Sequence, residues 1–384
     1  MPLHFTVEEL AARRARTCQT MTEQGFDGLL LFRQESLYYL TGYDTFGYVY
    51  FQCLVLTADG GMTLLTRAPD LRQARYTSVI EDVRVWVDGL GANPVDDLRA
   101  ILAEKGLRNA KLGVEWDAYG LTAALGFRVL EGLADLVTTE DASTLVSRQR
   151  LVKSKAELAY VERAAGLVDE AYDKALNATH AWAFEGDILA ELQGAIWRGG
   201  GDDPANEQII GSGPGALMCR YFTGRRHLDQ DDQMTLELAG TYRHYHACIM
   251  RTVRVGVPPP PRQVAMHTAA VDALNAAISA LRPGQPIGAA FDAHAETLDR
   301  AGFGDHRMNA CGYSLGTTFA PNWMDWPMLY HGNPMPAAPG MVFFVHIILF
   351  DSEAGLAATS GHTVKITETG NETLTKSPVE MVVK

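Results

Sequence analysis

The sequence lacks the short motifs that would assign its chemistry directly. It has no GxGxxG after a predicted strand, no phosphate-binding P-loop, no HExxH and no GxSxG nucleophile elbow. Residues 211–215 (GSGPG) are rich in glycine, but they lie between a predicted strand and a loop, so a turn is a simpler interpretation than a phosphate site. The usual nucleotide-binding, zincin and serine-hydrolase chemistries are therefore not indicated.

Basic charge and cysteine are both scarce. Lysine and arginine total 33 against 46 aspartates and glutamates, which gives a formal net charge of −13. Nucleic acids and anionic membranes need a basic surface, so we expect neither as a partner. The five cysteines are widely scattered and form no CxxC pair, which argues against a structural zinc knuckle.

Long hydrophobic runs are missing as well. The N-terminal residues show neither the basic stretch nor the apolar stretch of a signal peptide. The longest apolar run, Met341 to Phe350, is interrupted by His346 and is too short to span a bilayer. We therefore expect a cytoplasmic protein.

What remains is the composition of a globular protein of 384 residues, with 47% hydrophobic and 21% charged residues. At roughly 100–200 residues per domain, this length favours two domains. Up to about Leu145 short apolar strands alternate with helical stretches, which is typical of an α/β domain. The rest combines long helices with a mixed or antiparallel sheet, so the whole chain is predicted to be an α+β protein. We place the domains at residues 1–147 and 148–384.

Several elements of the second domain are predicted from periodicity. Apolar residues at helical spacing predict a helix over Lys155–Leu176. Residues 234–256 read as two strands joined by a turn. Further strands are predicted at Met341–Leu349 and Thr363–Thr367, with His362 just before the second of these.

The segment from Glu237 to Val253 (ELAGTYRHYHACIMRTV) carries the densest set of chemically active residues. Glu237 follows an apolar strand, and burial of such a carboxylate would raise its pKa towards neutrality, as a general base needs. His244 and His246 are predicted to share one face of a strand. The alternative is that Glu237 is held in a salt bridge and that both histidines lie at the surface.

Two other segments hold polar residues in apolar surroundings. His346 lies in the run VFFVHIILF, where a histidine must be hydrogen-bonded or functional; a hydrogen-bonded core residue is the more common case. Trp323 and Asp325 belong to an aromatic loop, PNWMDW, that could form the wall of a pocket.

Four motifs, in this order and at these spacings, resemble the pita-bread family of methionine aminopeptidase, prolidase, aminopeptidase P and creatinase. They are YYLTGY at 38–43, VKSKAELAY at 152–160, CGYSLG at 311–316 and PGMV at 339–342. The resemblance implies a creatinase-type N-terminal α/β domain, which is ribonuclease H-like, and a C-terminal pita-bread domain. It covers nearly the whole chain.

The same resemblance implies where metal ligands would lie in the peptidases of this family. Four of the five ligand positions hold Glu237, Cys248, Tyr313 and His346 here. The fifth ligand position falls at or next to Gly361. A two-metal site needs several carboxylates to bind its ions, and this set has one. The expectation is therefore a protein without a bound metal or other cofactor.

The chain is more similar to the metal-free branch with creatinase and ectoine hydrolase. The segment from Glu237 to Val253, the GYSLG at 312–316 and the loop at 320–325 each resemble ectoine hydrolase motifs. The branch implies hydrolysis of a C–N bond in a small zwitterionic compound: an amidine, a guanidine or an amide. It also implies a homodimer. Arg220 falls near the position of a loop histidine of these relatives.

The candidate site residues are assigned the roles that hydrolysis of a C–N bond requires. Glu237 is predicted to be the base or nucleophile, His246 or His346 the proton donor, and Tyr313 a neutral hydrogen-bond donor. Substrate binding is assigned to four residues: Arg220, His362, Trp323 and Asp325.

Two alternatives remain at this stage. One is a zinc enzyme, such as an Xaa-Pro peptidase with rearranged ligands, that uses Glu237, Cys248, His346 and His362. The other is a non-catalytic binding protein on the same scaffold.

Overall fold

The computed structural model describes residues 3–220 and 224–384. The chain forms two compact units, residues 1–150 and residues 151–384. Within the described ranges, no helix is both long enough and apolar enough to cross a membrane.

The N-terminal unit alternates helices and strands. Its helices are α1 (Val7–Glu23), α2 (Gln34–Thr41), α3 (Asp70–Thr77), α4 (Pro94–Glu104), α5 (Ala123–Leu133) and α6 (Leu145–Arg150). Its strands are β1 (Gly28–Leu31), β2 (Cys53–Thr57), β3 (Met62–Arg67), β4 (Asp82–Trp86), β5 (Lys111–Val114) and β6 (Thr138–Asp141). Helices α1 and α4 begin at side chains that accept backbone hydrogen bonds: the Thr6 hydroxyl accepts the amide of Glu9 and the Asn93 side chain accepts that of Val95.

These six strands form one mixed sheet in the order β4-β3-β2-β1-β5-β6. The central strands β1, β2 and β5 are apolar along almost their whole length because both faces of the sheet are covered. Two separate apolar clusters, one on each face, contain these strands and the helices that pack on them.

The C-terminal unit is built from longer elements. Its helices are α7 (Lys155–Ala178), α8 (Glu185–Arg198), α9 (Pro261–Ala280) and α10 (Gly288–Arg300). Its strands are β7 (Ile209–Ser212), β8 (Asp232–Tyr242), β9 (Tyr245–Val255), β10 (Gly312–Ser314), β11 (Asp325–Met328), β12 (Val342–Asp351), β13 (Leu356–Ile366), β14 (Asn371–Thr373) and β15 (Val382–Val383). Helix α7 begins with a complete capping box formed by Ser154 and Glu157.

The nine strands form one sheet with the principal order β11-β10-β12-β13-β9-β8-β7. Alternate residues of β8 and β9, among them Leu236, Leu238 and Ile249, pack against α7 and α8. Alternate residues of β12 and β13, among them Val345 and Val364, pack against α9 and α10. Because side chains alternate along a strand, the residues between these apolar ones point to the opposite face.

Three details differ from the sequence-based prediction. Strand β13 begins at Leu356, seven residues before the predicted start at Thr363, so His362 lies inside it. His244 is not on a strand: it lies in the turn between β8 and β9 with φ 65°. The sequence predicts a strand from Val49 to Leu56, but residues 47–49 form a short 3₁₀ turn and β2 begins only at Cys53.

Candidate active site

The face of the C-terminal sheet that points away from the helices collects residues from five strands. Glu237 on β8 is paired with Met250 on β9, and Met250 is paired with Gly361 on β13. Gly361 is in turn paired with His346 on β12. Tyr313 on β10 is paired with Phe344, two residues before His346. Residues paired across antiparallel strands lie on the same face, so the register brings Glu237, Tyr313 and His346 to one surface.

Glu237 is the acid of this group. Its side chain is almost completely buried, with 7% of the residue exposed. Burial disfavours the charged carboxylate and raises its pKa to about 7, while the hydrogen bond from Tyr313 and the charge of Arg220 act in the opposite direction. A carboxyl group with this pKa is partly ionised at neutral pH and can accept or donate a proton.

Tyr313 links Glu237 to Trp323. The Tyr313 hydroxyl donates to Glu237 Oε1 at 3.1 Å, and the indole Nε1 of Trp323 donates to Tyr313 Oη at 2.8 Å. Burial and the neighbouring Glu237 raise the pKa of Tyr313 well above 10, so this hydroxyl keeps its proton. Tyr313 and Trp323 are therefore both in the group, but Trp323 is buried behind Tyr313.

His346 lies next to Tyr313 and is half-buried, with ring centroids 5.4 Å apart. Burial, together with the smaller effects of His294 and Arg220, lowers its pKa to about 4, so the ring is neutral at pH 7. Its Nδ1 is buried and has no hydrogen-bond partner within the described ranges. His346 thus has an unused polar atom beside Tyr313, which in turn contacts Glu237.

Arg220 is exposed, and its charge lowers the pKa of both Glu237 and His346. The guanidinium group therefore lies close enough to act electrostatically on both.

Glu185 forms hydrogen bonds with the chain both before and after Arg220. One carboxylate oxygen of Glu185 accepts the amide and hydroxyl of Ser212, and the other accepts the amides of Arg225 and Arg226 at 3.2 and 3.1 Å.

His246 is placed differently from the prediction that made it a candidate proton donor. It is fully buried, and burial lowers its pKa to about 3. Its Nε2 accepts the backbone N–H of Ala205 at 3.0 Å, and its Nδ1 lies 3.2 Å from the Thr318 hydroxyl. Both ring nitrogens are therefore occupied by structural hydrogen bonds that join two loops.

His362 and Asp325 are not brought into the group either. His362 points to the helix-covered face, because it alternates with Gly361 and shares its side with Val364. There its Nε2 is 3.3 Å from Nη2 of the buried Arg251, and its Nδ1 is 2.7 Å from the Thr375 hydroxyl. Asp325 is paired with Ser314, whose hydroxyl accepts from the buried Lys153 Nζ at 3.4 Å. A role in substrate binding for either residue has no support in this geometry.

The positions that the family resemblance marks as metal ligands do converge, but with a different chemistry. Cys248 is fully buried, and burial together with Glu237 raises the pKa of its thiol well above 9. A Cβ on Gly361 would lie 2.8 Å from Phe344 Cε2 and 3.0 Å from His346 Cβ, so no longer side chain fits there as the structure stands. Over residues 3–220 and 224–384, no group of three or more His, Cys, Asp or Glu side chains could hold a metal ion.

Sequence reasoning missed the residues that support this group. Asn206 Oδ1 accepts the backbone amide of Trp323 at 3.1 Å, and the Thr318 hydroxyl donates to the Trp323 carbonyl at 3.4 Å. Phe344 fills the space beside Gly361. Of these residues, only Phe344 could have been found from the sequence, because it lies two residues before His346 and therefore on the same face of a strand.

Comparison with known proteins identifies the scaffold. The profile of metallopeptidase family M24 matches residues 159–368, and that of the creatinase/prolidase N-terminal domain matches residues 13–152. The solved X-Pro aminopeptidase from Thermotoga maritima has a TM-score of 0.84 at 20% identity, over 97% of this chain and 99% of that one. These similarities confirm the predicted fold, an N-terminal α/β domain followed by a pita-bread domain.

Two curated relatives are similar over their whole length. An ectoine hydrolase from Halomonas elongata is 27% identical over 401 residues, which cover 100% of this chain and 99% of the relative. An Xaa-Pro dipeptidase from Pyrococcus furiosus is 21% identical over 373 residues, which cover 96% of this chain and 99% of the relative.

Proposed function

The chain belongs to metallopeptidase family M24, and from this membership we propose that it is a hydrolase that cleaves a C–N bond of a small zwitterionic compound without a metal ion. The bond belongs to an amidine, a guanidine or an amide, as in the metal-free branch of creatinase and ectoine hydrolase. The similarity to an ectoine hydrolase over the full chain supports this choice.

One observation carries the proposal: the converging group contains a single carboxylate, and a tyrosine hydroxyl is bonded to it. Two-metal hydrolases need several carboxylates to bind and neutralise their ions. Here Tyr313 keeps its proton, Cys248 is a neutral thiol and residue 361 is a glycine. This donor set does not fit a two-metal centre, and the reaction is therefore assigned to the side chains themselves.

Glu237 supplies the reacting carboxylate. With a pKa of about 7, the Glu237 carboxylate can remove a proton from the attacking water and then return that proton to the leaving nitrogen. In the alternative route the carboxylate attacks the electrophilic carbon, the leaving nitrogen takes a proton from water, and the resulting hydroxide cleaves the covalent intermediate and restores the carboxylate. Exclusion of bulk water from this buried carboxylate strengthens its electrostatic interaction with the substrate.

His346 and Arg220 complete the site. The neutral His346 ring has one N–H group and one acceptor nitrogen, so it can bind a substrate N–H or the attacking water. The exposed Arg220 guanidinium can bind a substrate carboxylate through two parallel hydrogen bonds. A substrate that carries both a carboxylate and a hydrolysable C–N group satisfies both residues.

A substrate survey with metal control tests the proposal. The purified protein would be incubated with ectoine, creatine, an N-acylated amino acid and an Xaa-Pro dipeptide, before and after dialysis against EDTA, with the metal content measured by mass spectrometry. We expect turnover of one of the first three compounds, and we expect it to survive EDTA. Stoichiometric zinc, or cleavage of the dipeptide only after metal is added, contradicts the proposal. Binding of such a compound without any turnover favours a non-catalytic protein.

A further inference from the structure

In the chain of hydrogen bonds from Trp323 through Tyr313 to Glu237, the first bond has only one possible direction. An indole N–H can donate but cannot accept. The Tyr313 oxygen, 2.8 Å from Trp323 Nε1, must therefore accept that bond. Its own single proton is then free to point to Glu237 Oε1, 3.1 Å away.

This direction distinguishes the two oxygens of Glu237. Oε1 receives the Tyr313 proton in both protonation states of the carboxyl group. If Oε1 carried the acid proton instead, the Tyr313 hydroxyl proton would lose its acceptor inside a buried site, which is costly. The acid proton is therefore placed on Oε2 when Glu237 is neutral.

We propose that Tyr313 and Trp323 are positioning residues that reserve Oε2 of Glu237 as the reacting oxygen. Trp323 acts only through Tyr313. The inference rests on the proposed function in one respect, namely that Glu237 takes part in the reaction.

The surrounding contacts hold the indole in place. The Trp323 amide donates to Asn206 Oδ1, and the Trp323 carbonyl accepts from the Thr318 hydroxyl. Ala205 must donate to His246 Nε2, so the neutral ring carries its proton on Nδ1 and donates it to Thr318. His246 thus fixes the hydroxyl that binds Trp323, and its full burial, which lowers its pKa to about 3, keeps the ring neutral.

The proposal has a measurable electrostatic consequence. The Tyr313 hydroxyl stabilises the charged form of Glu237 and lowers its pKa. Removal of this donor must therefore shift the titration of Glu237 to higher pH. Because Trp323 does not contact the carboxylate in this chain of bonds, its removal should matter only while Tyr313 is present.

Infrared difference spectroscopy can follow this titration without any substrate. The stretching band of the protonated Glu237 carboxyl group would be assigned by its absence in Glu237→Gln. Glu115 is an internal reference: it lies in the N-terminal unit, is fully buried, and has a pKa that burial raises to about 7. Its band should titrate identically in every variant.

Three variants form a double-mutant cycle. In Tyr313→Phe we expect the Glu237 midpoint to rise by about one pH unit, the scale expected for a lost hydrogen bond to a charged group. In Trp323→Phe we expect a smaller rise. In the double variant we expect the midpoint of Tyr313→Phe alone. An unchanged midpoint in Tyr313→Phe, or an additional Trp323 effect in the double variant, overturns the proposal.

Two conservative substitutions serve as controls. Tyr245→Phe removes another buried tyrosine hydroxyl that donates to a carboxylate, Glu157 Oε1 at 2.8 Å. Trp86→Phe removes an indole N–H that donates to the Phe51 carbonyl at 3.0 Å. Neither residue belongs to the proposed site, and neither change should move the Glu237 band.

A second measurement keeps Tyr313 and Trp323 unsubstituted, in case a variant of either residue does not fold. With ¹⁵N-labelled tryptophan, the indole resonance of Trp323 should shift with the midpoint of Glu237 and lose this shift in Glu237→Gln. A pH-independent Trp323 resonance in the wild type also overturns the proposal. If these titrations behave as expected while no substrate is turned over, the positioning network stands and the proposed function fails.

Discussion

The hydroxyl of Thr363 binds both backbone groups of Cys248: it accepts the amide N–H at 2.7 Å and donates to the carbonyl at 2.9 Å. Thr363 lies on β13 and Cys248 on β9, strands whose backbone pairing covers only Ser360 with Arg251 and Gly361 with Met250. A hydroxyl group thus takes the place of backbone hydrogen bonds at the point where these two strands separate, on the face of the sheet that carries the candidate active site.

Replacement of this hydroxyl should destabilise the C-terminal unit. Thr363→Val keeps the shape but leaves two buried backbone groups without partners, at a cost of about 1–3 kcal/mol for each. Urea unfolding measures the loss. Thr363→Ser, which keeps the hydroxyl, is the control and should retain most of the stability; equal losses in both variants would argue against this role.

Substitution of the central carboxylate should abolish activity while the fold is retained. Glu237→Gln has nearly the same shape, and its amide oxygen can still accept from Tyr313. We expect turnover of the eventual substrate to fall by at least about two orders of magnitude, the usual scale for a lost general base. Turnover near the wild-type level combined with a marked loss of thermal stability would make Glu237 a structural residue.

The same substitution should change how stability depends on pH. The pKa of Glu237 is about 7 in the folded chain, above its ordinary value of 4.5. Between these two values the folded state binds more protons than the unfolded state, so stability falls as pH rises. The loss is on the order of 3 kcal/mol and is complete above pH 7.

Denaturant unfolding at pH 5 and pH 8 tests this prediction. Glu237→Gln should lack the Glu237 contribution, so its stability relative to wild type should improve between these two values. If the unfolding free energies of the two proteins depend equally on pH, the folded state does not raise the pKa of Glu237.

Loss of Glu185 should weaken substrate binding more than catalysis. Glu185 fastens both sides of the segment that carries Arg220, the residue proposed to bind a substrate carboxylate. In Glu185→Ala we expect KM to rise about tenfold or more, with a smaller change in kcat. Glu191→Ala removes an exposed ion pair with Arg198 on the same helix and should have little effect. A fall in kcat without a rise in KM would contradict a role of Glu185 in substrate binding through Arg220.

The homodimer is a prediction from the family resemblance, and we expect its interface to include exposed aromatic residues of the N-terminal unit. Phe46 is 73% exposed and Tyr50 is 50% exposed, whereas Tyr43, Tyr48 and Phe51 of the same stretch are buried. Aromatic residues are enriched in interface cores. Light scattering should give a dimer at micromolar concentration, and Phe46→Asp should weaken it. Trp197→Asp, a change at another exposed aromatic residue (55%), should not. A monomeric wild type would contradict the prediction.

The sequence was sufficient for the scaffold because its signals are local. Helix α7 was predictable from its capping box and its apolar spacing, and β12 from a single apolar run. Glu237, Tyr313 and His346 followed from motif positions on strands, whose neighbours in the sheet are fixed once the fold is known.

The supporting residues were not predictable in this way. Asn206 and Thr318 lie in loops, and their contacts with Trp323 depend on how two distant segments fold over each other. His362 was assigned to substrate binding without a face of the sheet, because the predicted strand began only at Thr363, whereas β13 begins at Leu356. His362 is spaced by two and by four residues from Val364 and Ile366, which both lie in the apolar core. This spacing places His362 on the helix-covered face of the sheet.

The contact of Gly361 with Phe344 also limits how this protein could have diverged from its relatives. A carboxylate side chain at residue 361 would collide with the Phe344 ring. On a mutational path between a one-carboxylate site and a site with several carboxylates, the Phe344 ring must therefore move or be replaced by a smaller side chain when residue 361 becomes larger. We expect substitutions at these two positions to depend on each other through steric contact rather than through the chemistry of either side chain.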